Sequence, residues 1–265
     1  MDINQKYALI TGATSGIGYE LAKLFAKDQY NLVIVARNTE ELEKTSAELK
    51  QSGIEVVTIA KDLFNREAPM EIYNEIKSKN IRIDVLVNDA GQGQYGLFSE
   101  TEIDRELEII QLNIGATIAL TKPFLKEMIA RKDGKILNLS SIAGKTPGPY
   151  QAVYHGTKAF IQSFTEAIRS ENKDNGITIT ALLPGATETD FFNKADMNDS
   201  KIVQDGSMSS AADVAKDGYE ALMSGNDMVI SGFKNKAMIG VTNLTPDHLV
   251  ADMMKKQQEP VNKDK

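Results

Sequence analysis

Cysteine and tryptophan are both missing from this 265-residue chain, and histidine occurs only at His155 and His248. The first absence excludes disulfides, thiolate zinc sites and a cysteine nucleophile. Neither histidine has a ligand partner at helical or loop spacing, so no metal site is expected. Positive charge is also in deficit. Thirty Lys and Arg stand against 37 Asp and Glu, a formal net charge of -7, the wrong sign for a protein that lives on a phosphate backbone. Nucleic acid is therefore not an expected partner. No stretch approaches the ~18 consecutive apolar residues of a membrane span, and residues 1–12 lack the basic start and long apolar run of a signal peptide. The chain reads as cytoplasmic.

What is present is an ordinary globular composition, 42% hydrophobic and 25% charged, which excludes disordered and fibrous classes. Short apolar runs of strand composition occur at 7–11, 31–36, 55–60, 83–88, 135–140 and 177–183, with a short seventh at 228–231. Helix-period stretches lie between them at 17–28, 39–51, 65–79, 100–131 and 150–172. This alternation predicts an α/β fold, a doubly wound parallel sheet of about seven strands with helices on both faces. Nothing marks a boundary, so residues 1–258 read as one domain, and the polar tail 259–265 is expected to fray. Residues 187–210 break the pattern with an Asp-, Asn- and Ser-rich stretch carrying Phe191 and Phe192. Following a strand of a parallel sheet, it is a candidate substrate lid. The stretch 234–258 mixes apolar and basic residues, as a cover for the cleft or a subunit contact would.

The first strand runs into Thr11-Gly12-Ala13-Thr14-Ser15-Gly16-Ile17-Gly18 and then an amphipathic helix. Such glycines let the backbone approach a pyrophosphate, and the helix N-terminus supplies free N–H groups and a positive dipole end. The spacing differs from G-x-G-x-x-G and from the P-loop. The second strand ends at Ala36-Arg37, where a dinucleotide site usually carries an acidic residue for the ribose hydroxyls. An Arg there can bind a 2′-phosphate, which favours NADP(H) over NAD(H). Lys61-Asp62-Leu63 and Asn88-Asp89-Ala90-Gly91 bring further polar groups to the same sheet edge.

Tyr154 and Lys158 stand at i,i+4 in Tyr154-His155-Gly156-Thr157-Lys158, on one face of a helix. An ammonium beside a phenol favours the phenolate, and a tuned Tyr can exchange a proton with a carbonyl or alcohol oxygen. Ser140 and Ser141, at the end of the preceding strand, can bring a hydroxyl to the same oxygen.

Together these residues resemble the classical short-chain dehydrogenase/reductase family over essentially the whole chain. The resemblance rests on Thr11-Gly-x-x-x-Gly-Ile-Gly18, Asn88-x-Ala-Gly91, Asn113, Ser141, Tyr154-x-x-x-Lys158 and Pro184-Gly185 with Thr189, in that order. It implies a Rossmann-type sheet and a catalytic set of Asn113, Ser141, Tyr154 and Lys158. Tyr154 would be the general acid/base, Lys158 would lower its pKa and hold the nicotinamide ribose, Ser141 would orient the substrate oxygen, and Asn113 would support a proton-relay water. Ser141 rather than Ser140 matches because 154 minus 141 gives the family's common spacing of 13. Implied coenzyme contacts are Gly12, Thr14, Ser15, Gly16, Ile17, Gly18, Arg37, Asp62, Leu63, Asn88, Ala90, Gly91, Tyr154, Lys158, Pro184, Gly185, Thr187 and Thr189. Two positions depart from the pattern. Asp89 replaces the second Asn of Asn-Asn-Ala-Gly, and Ser15 stands where many NADP-preferring members carry a basic residue, so the coenzyme preference rests on Arg37.

The resemblance implies hydride transfer between NADP(H) and a carbonyl or alcohol carbon of a small molecule, in a homodimer or homotetramer. An NADP(H)-binding sensor or regulatory module without useful turnover is the alternative. A sugar-nucleotide epimerase shares Tyr-x-x-x-Lys but has a different glycine spacing. Within 187–210 the only basic residues are Lys194 and Lys201, against Glu188, Asp190, Asp196, Asp199 and Asp205. That balance disfavours a multiply anionic substrate and predicts a neutral compound with a hydrophobic portion.

Overall fold

The structure is a computed structural model that describes residues 6–205, 207–242 and 244–261. The apolar runs become β1 (Tyr7–Thr11), β2 (Asn31–Ala36), β3 (Val56–Ala60), β4 (Ile83–Asn88), β5 (Gly134–Leu139), β6 (Ile177–Leu183) and β7 (Met228–Ile230). All pair in parallel in one sheet, in the order β3-β2-β1-β4-β5-β6-β7. Alternate strand residues serve two cores. Ala8 and Ile10 join Leu32, Ile34, Val85 and Val87 on one face, while Tyr7 and Leu9 join Val33, Val35 and Leu86 on the other. Burial on both faces is why these strands read as unbroken apolar runs.

The helices are α1 (Gly16–Lys27), α2 (Thr39–Leu49), α3 (Ala68–Ser78), α4 (Ile103–Ile110), α5 (Ala116–Arg131), α6 (Ala152–Glu171), α7 (Phe191–Lys194), α8 (Lys201–Gln204), α9 (Ala211–Met223), α10 (Phe233–Thr242) and α11 (Asp247–Gln258). Leu21 and Phe25 of α1, Leu42 of α2 and Leu222 of α9 cover one face of the sheet. Ile72 of α3, Phe124 of α5 and Ile168 of α6 cover the other. The crossovers from β1 lead outward to β3, and the chain then returns to place β4 on the opposite side of β1. The C-terminal ends of β1 and β4 thus flank the switch point, where ligand crevices form in such sheets.

Two regions differ from the sequence reading. The long helical stretch 100–131 is interrupted by a π turn, Gln111–Gly115, between α4 and α5. The tail does not fray at its start: Val261 N–H donates to the Asp199 carbonyl at 2.8 Å and Lys201 pairs with Glu259 at 3.1 Å. Backbone pairing is available there because the 187–210 loop folds back beside it. Residues 262–265 of the expected tail, and 1–5 of the expected domain, lie outside the described residues.

Candidate active site

One cavity of about 690 Å³ runs along the C-terminal edge of the sheet, from Arg37 at one end to Met254 and Gln258 at the other. Its first wall is the glycine turn after β1. Thr11 Oγ1 accepts the Asp89 and Ala90 N–H groups, each at 3.1 Å, locking the turn to the end of β4. Ser15 caps α1 without a side-chain hydrogen bond, and of the first-turn N–H groups that of Gly18 is taken by the buried Asp89 carboxylate, which leaves the earlier ones for a ligand. Gly16 has φ of +56°, and a Cβ there would fall 2.9 Å from Thr189 Cγ2. Gly18 packs still closer, since its Cβ would lie 2.4 Å from the Asp89 carboxylate and 2.5 Å from the Gly12 carbonyl oxygen.

At the adenosine end of such a site lie Arg37, Lys61, Asp62 and Leu63. The Arg37 guanidinium sits 5.3 Å from the Phe64 ring and forms no ion pair among the described residues. Lys61 is instead held by Glu71 at 2.5 Å. Glu41 also lines this end, where it accepts from Thr14 Oγ1 at 3.3 Å.

The other end gathers Ser141, Tyr154 and Lys158. Ser141 follows β5 and caps a single 3-10 turn. Its Oγ accepts the Ala143 N–H at 3.1 Å and donates to the Pro184 carbonyl at 3.2 Å. Ser140 also reaches the cavity wall, but its hydroxyl donates to the Lys158 backbone carbonyl at 2.7 Å, so it braces α6. Tyr154 and Lys158 project from the first turns of α6, with Nζ 5.7 Å from the phenol ring. Nζ donates to the Leu139 carbonyl at 2.8 Å.

The electrostatics differ from the sequence reading. Burial pushes the Tyr154 phenol up to about 12, against a smaller downward pull from the Ser141 hydroxyl. Burial also brings the Lys158 ammonium down to about 8, against the upward pull of Asp89. In the free chain burial of the phenol thus dominates, and the neighbouring Lys158 is itself desolvated and bound to a carbonyl. Asp89 is pushed up to about 7 by burial, with Lys158 and the Gly18 N–H pulling the other way.

Gly12, Thr14, Ser15, Gly16, Ile17, Ala90, Gly91, Pro184, Gly185, Thr187 and Thr189 all reach the cavity wall. Three expected residues do not. Asn88 is buried, donating to Thr121 Oγ1 at 3.0 Å and Asn138 Oδ1 at 2.8 Å, so it clamps β4 to its neighbours. Gly18 stands behind the turn as a packing position. Asn113 lies in the π turn, where its amide donates to the Gln92 carbonyl and Thr157 Oγ1, each at 2.9 Å, while Oδ1 accepts the Gln92 N–H at 3.0 Å. Its side chain therefore fixes the floor of the site from behind.

The 187–210 stretch is tied to itself at its base. Glu188 N–H donates to the Ser209 carbonyl and Ser209 N–H to that of Ala186, each at 2.9 Å, closing its base. The Phe191 ring sits 5.0 Å from that of Tyr154, and Phe192, Met197 and Ile202 extend the same apolar wall. Sequence reasoning missed Gln92 and Gln151, and left Met238, Met254 and Gln258 within the unassigned C-terminal segment.

Residues 6–200 match the family described as short chain dehydrogenase. The chain is 31% identical over 254 residues to dehydrogenase/reductase SDR family member 7B of Mus musculus, which covers 90% of this chain and 77% of that protein. A very-long-chain 3-oxoacyl-CoA reductase of Laccaria bicolor is 36% identical over 181 residues, 66% of this chain and 53% of that protein. Among solved structures, a short-chain dehydrogenase from Sphingobium yanoikuyae in complex with NADPH superposes with a TM-score of 0.81 at 26% identity, covering 94% of this chain and 99% of that one. The chain belongs to the short-chain dehydrogenase family and is an oxidoreductase with a single Rossmann-like sheet.

Proposed function

We propose that the protein is an NADP(H)-dependent oxidoreductase that interconverts a carbonyl and an alcohol, with Tyr154 as general acid/base. The observation that carries this reading is one continuous cavity, which joins a glycine-walled helix N-terminus and Arg37, unpaired among the described residues, to Ser141, Tyr154 and Lys158. The cradle fits a dinucleotide: Gly16 leaves no room for a side chain, and the first N–H groups of α1, ahead of the Gly18 N–H that Asp89 holds, suit a pyrophosphate. Arg37 would take the 2′-phosphate, Asp62, Leu63, Ala90 and Gly91 the adenosine side, and Lys158, Pro184, Gly185, Thr187 and Thr189 the nicotinamide side. The bound coenzyme supplies the hydride. Tyr154 keeps its proton at neutral pH in the free chain and is placed to give it to the substrate oxygen, with the Ser141 hydroxyl as its second partner. Asn113 acts through Gln92 and Thr157 as a positioning residue.

The substrate is a small or medium neutral compound with an apolar portion. Both lid lysines are neutralised, Lys194 by Asp190 at 2.9 Å and Lys201 by Glu259 at 3.1 Å. A 3-oxoacyl-CoA, named for the Laccaria relative, would bring several phosphates to a substrate end without an uncommitted cation pair. The reading extends to a cytoplasmic homodimer or homotetramer. Exposed Ile103 and Leu107 of α4 and Phe160 of α6 support the oligomer. Among the described residues no helix is long and apolar enough to cross a membrane.

The test is NADPH carrying deuterium at nicotinamide C4, incubated with a panel of ketones, aldehydes and diketones. The expected result is deuterium on the carbinol carbon of at least one product. Stoichiometric NADPH binding with no turnover across the panel would establish the sensor reading instead.

A further inference from the structure

The two helices that follow β7 are apolar on both sides. Inward, Met238 of α10 and Met254 and Gln258 of α11 line the cavity, and Ile239 and Val250 are buried. Outward, Phe233 of α10 is 85% exposed and Val241 60%, with Ala237 exposed between them, and Leu244 in the turn that follows is 90% exposed. At about 100° per residue Phe233, Ala237 and Val241 form one stripe, flanked by Lys234 on one side and Lys236 on the other. Ile239 and Thr242, the buried residues of α10, fall opposite. α11 repeats the pattern. Leu249, Met253 and Lys256 are exposed on the face away from Val250, Met254 and Gln258. The outer face of a surface helix is ordinarily polar, so an apolar stripe of this kind marks a contact surface.

Charge decides what covers it. Residues 233–258 hold Lys234, Lys236, Lys255 and Lys256 against Asp247 and Asp252, on a chain whose net charge is -7. All four lysines are exposed, and none forms an ion pair among the described residues. A second copy docked through the same face would set one positive rim against another. An anionic lipid surface satisfies both features, taking the apolar stripe at the acyl boundary and the lysines among the headgroups.

We propose that the outer faces of α10 and α11 dock the protein on an anionic lipid bilayer. The contact is peripheral, since among the described residues no helix is long and apolar enough to cross a membrane. Because the inner faces of the same helices wall the cavity, its substrate end would lie about one helix diameter, roughly 10–12 Å, from the lipid. An apolar substrate dissolved in the bilayer then has a short path to Tyr154. That delivery rests on the oxidoreductase reading, whereas the docking rests on the two helices alone.

The test is sedimentation of the full chain with vesicles of phosphatidylcholine containing about one third phosphatidylserine, against phosphatidylcholine alone, at ~0.1 M salt. The wild type should partition onto the anionic vesicles roughly tenfold or more strongly. The double variant Phe233→Ser with Leu244→Ser, and separately Lys234→Gln with Lys236→Gln, should each lower that binding several-fold; as surface changes they should leave Tm and NADPH affinity as in the wild type. The chain has no Trp, so Phe233→Trp supplies a single reporter whose emission should shift to the blue on anionic vesicles. No binding to either vesicle, equal binding to both, or binding that both folded variants leave unchanged overturns the inference. So does a fall in the light-scattering mass of the Phe233→Ser, Leu244→Ser variant with vesicle binding intact, which would make this face a subunit contact. None of these readouts involves turnover, so docking without activity would count against the oxidoreductase reading alone, and activity without docking against this inference alone.

Discussion

Arg37 is one guanidinium just past the end of β2, without an ion pair among the described residues and laid against Phe64. A charge-assisted contact to a phosphate contributes about 1.5–3 kcal/mol, so Arg37→Ala should weaken NADPH binding by roughly ten- to a hundredfold and NADH far less. Equal losses for the two coenzymes in a fluorescence titration would show that Arg37 does not read the 2′-phosphate. Asp89 makes a second prediction. Its folded pKa of about 7 lies above the ordinary value of 3.8. Between those values the folded chain keeps a proton that the unfolded chain has lost, so stability falls as pH rises through that window. Asp89→Asn should therefore raise Tm at about pH 8 by a few degrees, on the order of 2 kcal/mol, with the gain vanishing near pH 4. A gain of equal size at both pH values in calorimetry of the coenzyme-free protein would contradict this origin.

At the scale of elements, the first βα turn, the ends of β4 and β5, and the start of α6 meet because each element follows its own local pattern. Gly18 shows how tight that meeting is, with the Asp89 carboxylate and the Gly12 carbonyl where its Cβ would lie. Gly18→Ala should lower stability by about 1–3 kcal/mol and weaken coenzyme binding together, and unchanged denaturant midpoints would contradict the packing. The strands were legible because burial on both faces leaves unbroken apolar runs such as Leu32 to Val35. Tyr154 and Lys158 were legible because helical spacing alone puts them on one face. The π turn at Asn113 was not, since its residues would equally continue a regular helix, and the Asn113 side-chain bonds to Gln92 and Thr157 join residues far apart in sequence. Nor was the raised pKa of Tyr154. Spacing reveals the neighbouring ammonium but neither the burial of both groups nor the Leu139 carbonyl that holds Nζ. Gln258 escaped for a third reason, because its relation to His155 exists only after α11 has folded back over the cleft.

For the whole molecule, apolar Ile103, Leu107 and Phe160 remain exposed on α4 and α6, on the side of the sheet away from α1 and α9. The 29.1 kDa chain should accordingly scatter light as a dimer or tetramer at micromolar concentration. Leu107→Glu should shift it toward the monomer, and a wild-type mass near that of one chain would remove the oligomer. The proposed reaction needs one cavity that joins a dinucleotide cradle to a proton donor, Tyr154. Its most direct test is kcat for NADPH-dependent carbonyl reduction in the wild type and Tyr154→Phe, with coenzyme affinity measured alongside. Loss of the phenolic proton should lower kcat on the order of 10²–10⁴-fold while NADPH still binds. Coincident rates for every substrate turned over would contradict the account.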